Sequence, residues 1–188
     1  MSLAAIDANG KKQISYELSP ESFRQNWTCP NCQQSMSFVN SKLKIKHFRH
    51  FVDNKCDSEP ETKEHVNLKK YVYDWLTEAG YKCEYEAKIG NRVADITFFN
   101  LRTKKIRVVE CQVSIISSQE ARQRSDDYQN NGVYEVYWIL HPRKYLRPYK
   151  KHVHIFRLKD IEREYLSSPY LFYFDPDNKL VKKVFFKE

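Results

Sequence analysis

No run of apolar residues in this chain approaches the roughly eighteen needed to cross a bilayer, which excludes a helical membrane span. The opening residues Met1-Ser2-Leu3-Ala4-Ala5 lack the basic start and long apolar stretch of a secretory signal, so the expected compartment is the cytoplasm. Internal repeats and low-complexity linkers are absent too, and 188 residues suffice for one compact domain plus a small appendage. The cysteines number five, an odd count that cannot close into a full set of disulfides. In a reducing compartment, that count argues for metal binding or burial.

What is present supports a packed core, since hydrophobic residues make up 41% of the chain and aromatics 14%. Lys and Arg number 32 against 24 Asp and Glu, a formal charge of +8. That excess steers a protein toward phosphate-rich partners but says nothing about chemistry, and a solvated basic face explains it equally well.

The order of elements can be read from turn and periodicity signals. Asn9-Gly10 suits the left-handed turn of a hairpin over residues 4–18. Asp57-Ser58-Glu59-Pro60 is a helix-start signal, and Glu61 completes a capping box with Ser58. Leu68, Val72, Trp75, Leu76 and Ala79 then recur at helical spacing until Gly80. Strands are predicted over 81–88, 92–99 and 105–114, a polar helix over 118–130, and a buried strand over 133–140. Further on, the pattern predicts a strand over 153–157, a short helix over 159–166, and a closing hairpin of 169–175 with 180–186. These elements make an α/β core. The expected division is an N-terminal hairpin and metal module at 1–57, a core at 58–158, and a C-terminal helix and hairpin extension at 159–188.

Residues 27–57 hold three of the five cysteines and two of the six histidines. Cys29-Pro30-Asn31-Cys32 spaces two thiolates so that one turn delivers both to a tetrahedral ion, and His47, His50 and Cys56 follow. Three Cys and one His would close a structural zinc site with no open position. His50 is the expected fourth ligand and His47 the alternative, because spacing does not separate them. Such an ion would hold together a lobe too small to bury its own core. Cys83 and Cys111 read as buried thiols.

A second constellation lies on the hairpin. Val93, Asp95 and Thr97 share one face of their strand, and Val108, Glu110 and Gln112 share one face of the partner. A turn centred between Arg102 and Thr103 sets Asp95 opposite Glu110. Two carboxylates about 5 Å apart among apolar neighbours repel, and a divalent cation such as Mg²⁺ or Mn²⁺ removes the conflict. The alternative is a pair of half-exposed edge carboxylates with a bulge shifting the register. Glu64, one turn before Leu68 on the same stripe, is a candidate third carboxylate. His65 and Lys69 lie on an adjoining face and are candidate phosphate contacts. The stretch from His141 to His152 interleaves Arg143, Lys144, Arg147, Lys150 and Lys151 with Tyr145 and Tyr149. That composition suits a surface that neutralises phosphates and stacks bases.

Cys-Pro-x-Cys, His47-Phe48-Arg49-His50, Cys56, Glu64-His65, Arg92-Val93-Ala94-Asp95-Ile96 and Val109-Glu110-Cys111-Gln112-Val113-Ser114, in this order, resemble the CoiA-like competence proteins. That family is similar to the PD-(D/E)XK, or restriction-endonuclease-like, nucleases. The resemblance implies a mixed sheet flanked by helices, acting on DNA, single- or double-stranded. Asp95, Glu110 and the backbone carbonyl of Cys111 would hold Mg²⁺ or Mn²⁺, and Glu64 would complete the shell or orient water. Gln112 stands where the superfamily usually has Lys and would position the nucleophile by hydrogen bonding. Glu120, Arg124 and Tyr128 look like one face of the family's next helix, although Glu120 also suits a capping box with Ser117. Arg92 joins these as a supporting residue. The family name points to the handling of incoming DNA, with recombination or DNA-uptake proteins as partners. A non-cleaving DNA-binding module of the same fold is the alternative function.

Overall fold

The computed structural model describes residues 2–41, 44–51, 56, 61–99, 101–145, 161–162 and 169–183. The chain divides into two compact units, 1–67 and 68–188.

In the first unit, β1 (Ala4–Ile6), β2 (Lys12–Ile14), β3 (Trp27–Thr28), β4 (Ser35–Ser41) and β5 (Lys44–His50) form one antiparallel sheet in the order β2-β1-β3-β4-β5. The first hairpin is where Asn9-Gly10 places it, with Ala4 opposite Ile14 and Gly10 at φ +77°. Asp7 locks the turn, its Oδ1 accepting the Asn9 and Lys11 N–H groups at 2.9 Å. Ala5, Trp27, Cys29, Met36, Phe38 and Phe48 make a small core, with Trp27 and Phe48 rings 5.0 Å apart.

Helix α1 (Lys63–Glu78) starts later than its sequence signal. Ser58, half of the expected capping box, lies outside the described residues. The cap that is seen is Thr62, whose Oγ1 accepts the His65 N–H at 3.2 Å. Farther along, Leu68, Val72 and Leu76 are buried as the periodicity predicts, but Trp75 is 45% exposed. Lys69, a candidate phosphate contact in the sequence, is only 1% exposed.

The second unit carries a mixed sheet of β6 (Lys82–Ile89), β7 (Arg92–Phe99), β8 (Ile106–Gln112), β9 (Glu135–Leu140), β10 (Leu171–Asp175) and β11 (Leu180–Lys182), in the order β11-β10-β9-β8-β7-β6. β8 and β9 are parallel and therefore need a crossover, which α2 (Ser118–Asn130) supplies. Ala121 and Tyr128 of α2 pack with Val108, Val136, Trp138 and Leu140 on one face of the sheet. On the other face, Tyr73 of α1 stacks on Tyr85 at 4.0 Å and Tyr71 packs on Phe174 at 5.0 Å. Helices thus cover both faces, and β9 is buried on both, as its nearly continuous apolar run predicts.

The closing hairpin is present as β10 and β11, but β10 pairs in parallel with β9, Leu171 opposite Trp138. Residues 169–183 therefore extend the core sheet instead of standing apart from it. Of the strand expected at 153–157 and the helix at 159–166, only Ile161 and Glu162 lie within the described residues, and both are helical and buried. No described helix is long and apolar enough to cross a membrane.

Trp138 is fully buried, and its indole N–H donates to Ser125 Oγ at 3.2 Å. Trp138→Ala is expected to destabilise the second unit by about 3–5 kcal/mol, read as a lowered urea midpoint.

Candidate functional site

The first cluster is built by the order of the first sheet. The turn between β3 and β4 carries Cys29 and Cys32. The Gln33 N–H donates to the Cys29 carbonyl at 2.9 Å, and Gln33 takes a left-handed φ of +58°. The β4–β5 hairpin then returns the chain, setting His50 opposite Met36, next to that turn. One ligand atom from each of Cys29, Cys32, His50 and Cys56 lies within 4.8 Å of the others. Cys29 Sγ and Cys56 Sγ are 3.9 Å apart, and Cys32 Sγ is 3.2 Å from His50 Nε2. A tetrahedral ion with zinc–sulfur bonds of about 2.3 Å requires sulfur atoms about 3.8 Å apart, so the donor set fits zinc. Burial pushes the Cys29 thiol up to about 12, which makes a thiolate there dependent on a neighbouring cation.

His47 is not part of this cluster. Strand alternation puts His50 on the face of Phe48, which is fully buried in the small core, and turns His47 the other way. Its Nδ1 lies 2.9 Å from the Ile45 carbonyl oxygen.

The second cluster forms where the β7–β8 ladder ends. Thr97 pairs with Val108 and Ile96 with Val109, the register the turn at Arg102-Thr103 predicts. The next residues are Asp95 and Glu110, just past the last rung. Instead of continuing the ladder, Asp95 Oδ2 accepts the Cys111 N–H at 2.8 Å. Glu110 is 3% exposed, and its Oε1 accepts the Tyr128 hydroxyl at 2.7 Å. Arg124 Nη1 lies 3.6 Å from Glu110 Oε2 and Arg124 Nη2 2.8 Å from Glu120 Oε1. Burial pushes the Tyr128 hydroxyl well above its ordinary range, and the Glu110 and Asp95 carboxylates push it further, so both charges act on one phenol.

Sequence reasoning missed Glu86. It stands across from Asp95 on β6, between the rungs Tyr85–Ile96 and Ala87–Ala94, with a left-handed φ of +48°. Three adjacent strands therefore carry Glu86, Asp95 and Glu110. No periodicity announces a left-handed glutamate inside a strand.

Several expected contacts take other roles in the structure. Lys69, expected at an exposed phosphate contact, is buried instead, its Nζ 3.0 Å from Glu86 Oε1 and 3.6 Å from Asp95 Oδ1. Gln112, expected to hold a nucleophile, donates its amide to Ser114 O at 2.7 Å and Ser114 Oγ at 3.1 Å. Arg92 ties β7 to α2 through Asp127 at 2.8 Å. His65 pairs with Glu61, one turn before it, at 3.5 Å. Glu64 lies in the first turn of α1, in the first unit. The Ser117 hydroxyl accepts the Glu120 N–H at 3.1 Å, half of the capping box the sequence suggested. Arg143 and Lys144 are exposed, whereas Tyr145, expected to stack bases, is buried with its hydroxyl donating to Ser114 O at 2.8 Å. Arg147, Lys150 and Lys151 lie outside the described residues.

A mixed sheet between two helices, with acidic residues on three adjacent strands, defines an α/β domain. The chain belongs to the CoiA family: residues 61–185 match the nuclease-like domain of competence protein CoiA. No match was found among curated proteins.

The protein is expected to carry about one equivalent of zinc by elemental analysis. Cys32→Ser and His50→Ala should lose it, and His47→Ala should keep it.

Proposed function

We propose that this protein is a cytoplasmic, metal-dependent deoxyribonuclease with a PD-(D/E)XK-like core, hydrolysing DNA phosphodiesters in DNA processing, recombination or transformation. The observation that carries the reading is the placement of Asp95 and Glu110 on neighbouring strands just past the last rung of the β7–β8 ladder, in a chain whose family is nuclease-like. The two carboxylates and the Cys111 carbonyl would hold Mg²⁺ or Mn²⁺, since hard oxygen donors suit these ions better than zinc. Such an ion, when bound, stabilises charge on a phosphate oxygen and lowers the pKa of its water.

The remaining parts of the reaction fall to the chain itself. Tyr128 fixes the orientation of Glu110 by a 2.7 Å hydrogen bond, and Arg124 limits repulsion from Glu120. Arg143, Lys144, Arg147, Lys150 and Lys151 would neutralise the DNA backbone. Zinc on Cys29, Cys32, His50 and Cys56 would be structural, because four protein ligands leave no place for substrate.

One observation favours the rival reading of a DNA-binding module that does not cut. The amide of Gln112, already at the position where a lysine is usual, is committed to Ser114. Cleavage of single- and double-stranded DNA with Mg²⁺ or Mn²⁺ separates the two. The expected result is metal-dependent cleavage that falls at least about 100-fold in Asp95→Ala or Glu110→Ala, with DNA affinity retained. Salt-sensitive binding without cleavage under either metal would establish the module instead.

A further inference from the structure

We infer that Lys69, from helix α1, supplies the positive charge that Gln112 cannot, making it the ammonium of the candidate site. The inference rests on the nuclease reading above and names a residue for a role that reading leaves unfilled.

Three observations support it. The first is burial. An ammonium at 1% exposure loses nearly all of its hydration, a heavy cost unless carboxylates compensate. Glu86 at 3.0 Å and Asp95 at 3.6 Å provide that compensation. Stability alone gives little reason for the arrangement, since a packed apolar side chain usually replaces a buried ion pair without loss.

The second is the backbone at Glu86. Its φ of +48° is a left-handed conformation disfavoured for a residue with a Cβ, and it occurs on the strand next to Asp95. Strain kept at a charged cluster is a mark of a functional site. Here it goes with a carboxylate that grips the ammonium beside Asp95.

The third is the state of Gln112. A neutral amide cannot stabilise developing negative charge as a cation does, and this one donates to two oxygens of Ser114. Gln112 thus fixes the turn after β8, and Lys69 places a cation 3.6 Å from Asp95. Glu86 is the residue that positions it.

The test compares wild type, Lys69→Met, Lys69→Met with Glu86→Gln, and Lys69→Met with Gln112→Lys, all as the full chain. The pairing with Glu86→Gln removes an uncompensated buried carboxylate and so guards against simple misfolding, checked by thermal melting. Single-turnover cleavage at saturating DNA and Mn²⁺ is measured alongside DNA affinity. The expected result is a loss of about 100-fold or more in rate for both variants that lack a lysine, with DNA affinity within about threefold of wild type. Placing a lysine at 112 should return at least about tenfold of that loss.

Cleavage within about threefold of wild type without Lys69 would overturn the inference. So would a loss confined to DNA affinity, or a loss that lysine at 112 does nothing to restore. A wild-type chain that cleaves nothing sinks the nuclease reading and this inference with it, whereas equal cleavage by wild type and Lys69→Met sinks the inference alone.

Discussion

The arrangement of the second unit depends on what Asp95 does where β7 and β8 stop pairing. Its carboxylate takes the Cys111 N–H that the ladder no longer satisfies, and the same group faces the Lys69 ammonium. An acidic side chain is thereby held where the β7–β8 ladder stops, by a backbone donor and a buried cation. A carboxylate bound in this way is pre-oriented, so little ordering entropy remains to be lost when a ligand arrives.

Around that point, charge is distributed by element. β6 contributes Glu86, β7 Asp95 and β8 Glu110, while α1 contributes Lys69 and α2 contributes Arg124 and the Tyr128 hydroxyl. Both helices are needed as packing layers for a sheet buried on two faces, and each also delivers polar groups to the acidic residues of the strands. The same packing that stabilises the core therefore sets the electrostatics of the site. In the first unit, a short sheet brings three cysteines and one histidine together, and a metal there would supply the stability that its small aromatic core lacks.

Much of this was legible in the sequence where a local rule decides. The hairpin register followed from where the turn falls between Arg102 and Thr103, and α2 followed from its polar pattern and Ser117 cap. His47 and His50 stayed ambiguous because their spacing suits zinc equally well. Strand parity with Phe48 distinguishes them once β5 is seen to run through His50. The burial of Lys69, the left-handed turn of Glu86 and the burial of Tyr145 were not legible. Each depends on a partner distant in sequence: Lys69 on Glu86 and Asp95, and Tyr145 on Ser114 and Ile116. The hydrogen bond of the Gln112 amide was not legible for the opposite reason, since its partner is only two residues away in a turn.

The central claim is that Asp95 and Glu110 share a divalent cation. Anomalous diffraction from crystals soaked in Mn²⁺ tests it most directly. The account predicts a manganese peak within bonding distance of both carboxylates, distinct from the zinc peak among Cys29, Cys32, His50 and Cys56. Crystals with the zinc peak present and no manganese between Asp95 and Glu110 would contradict it.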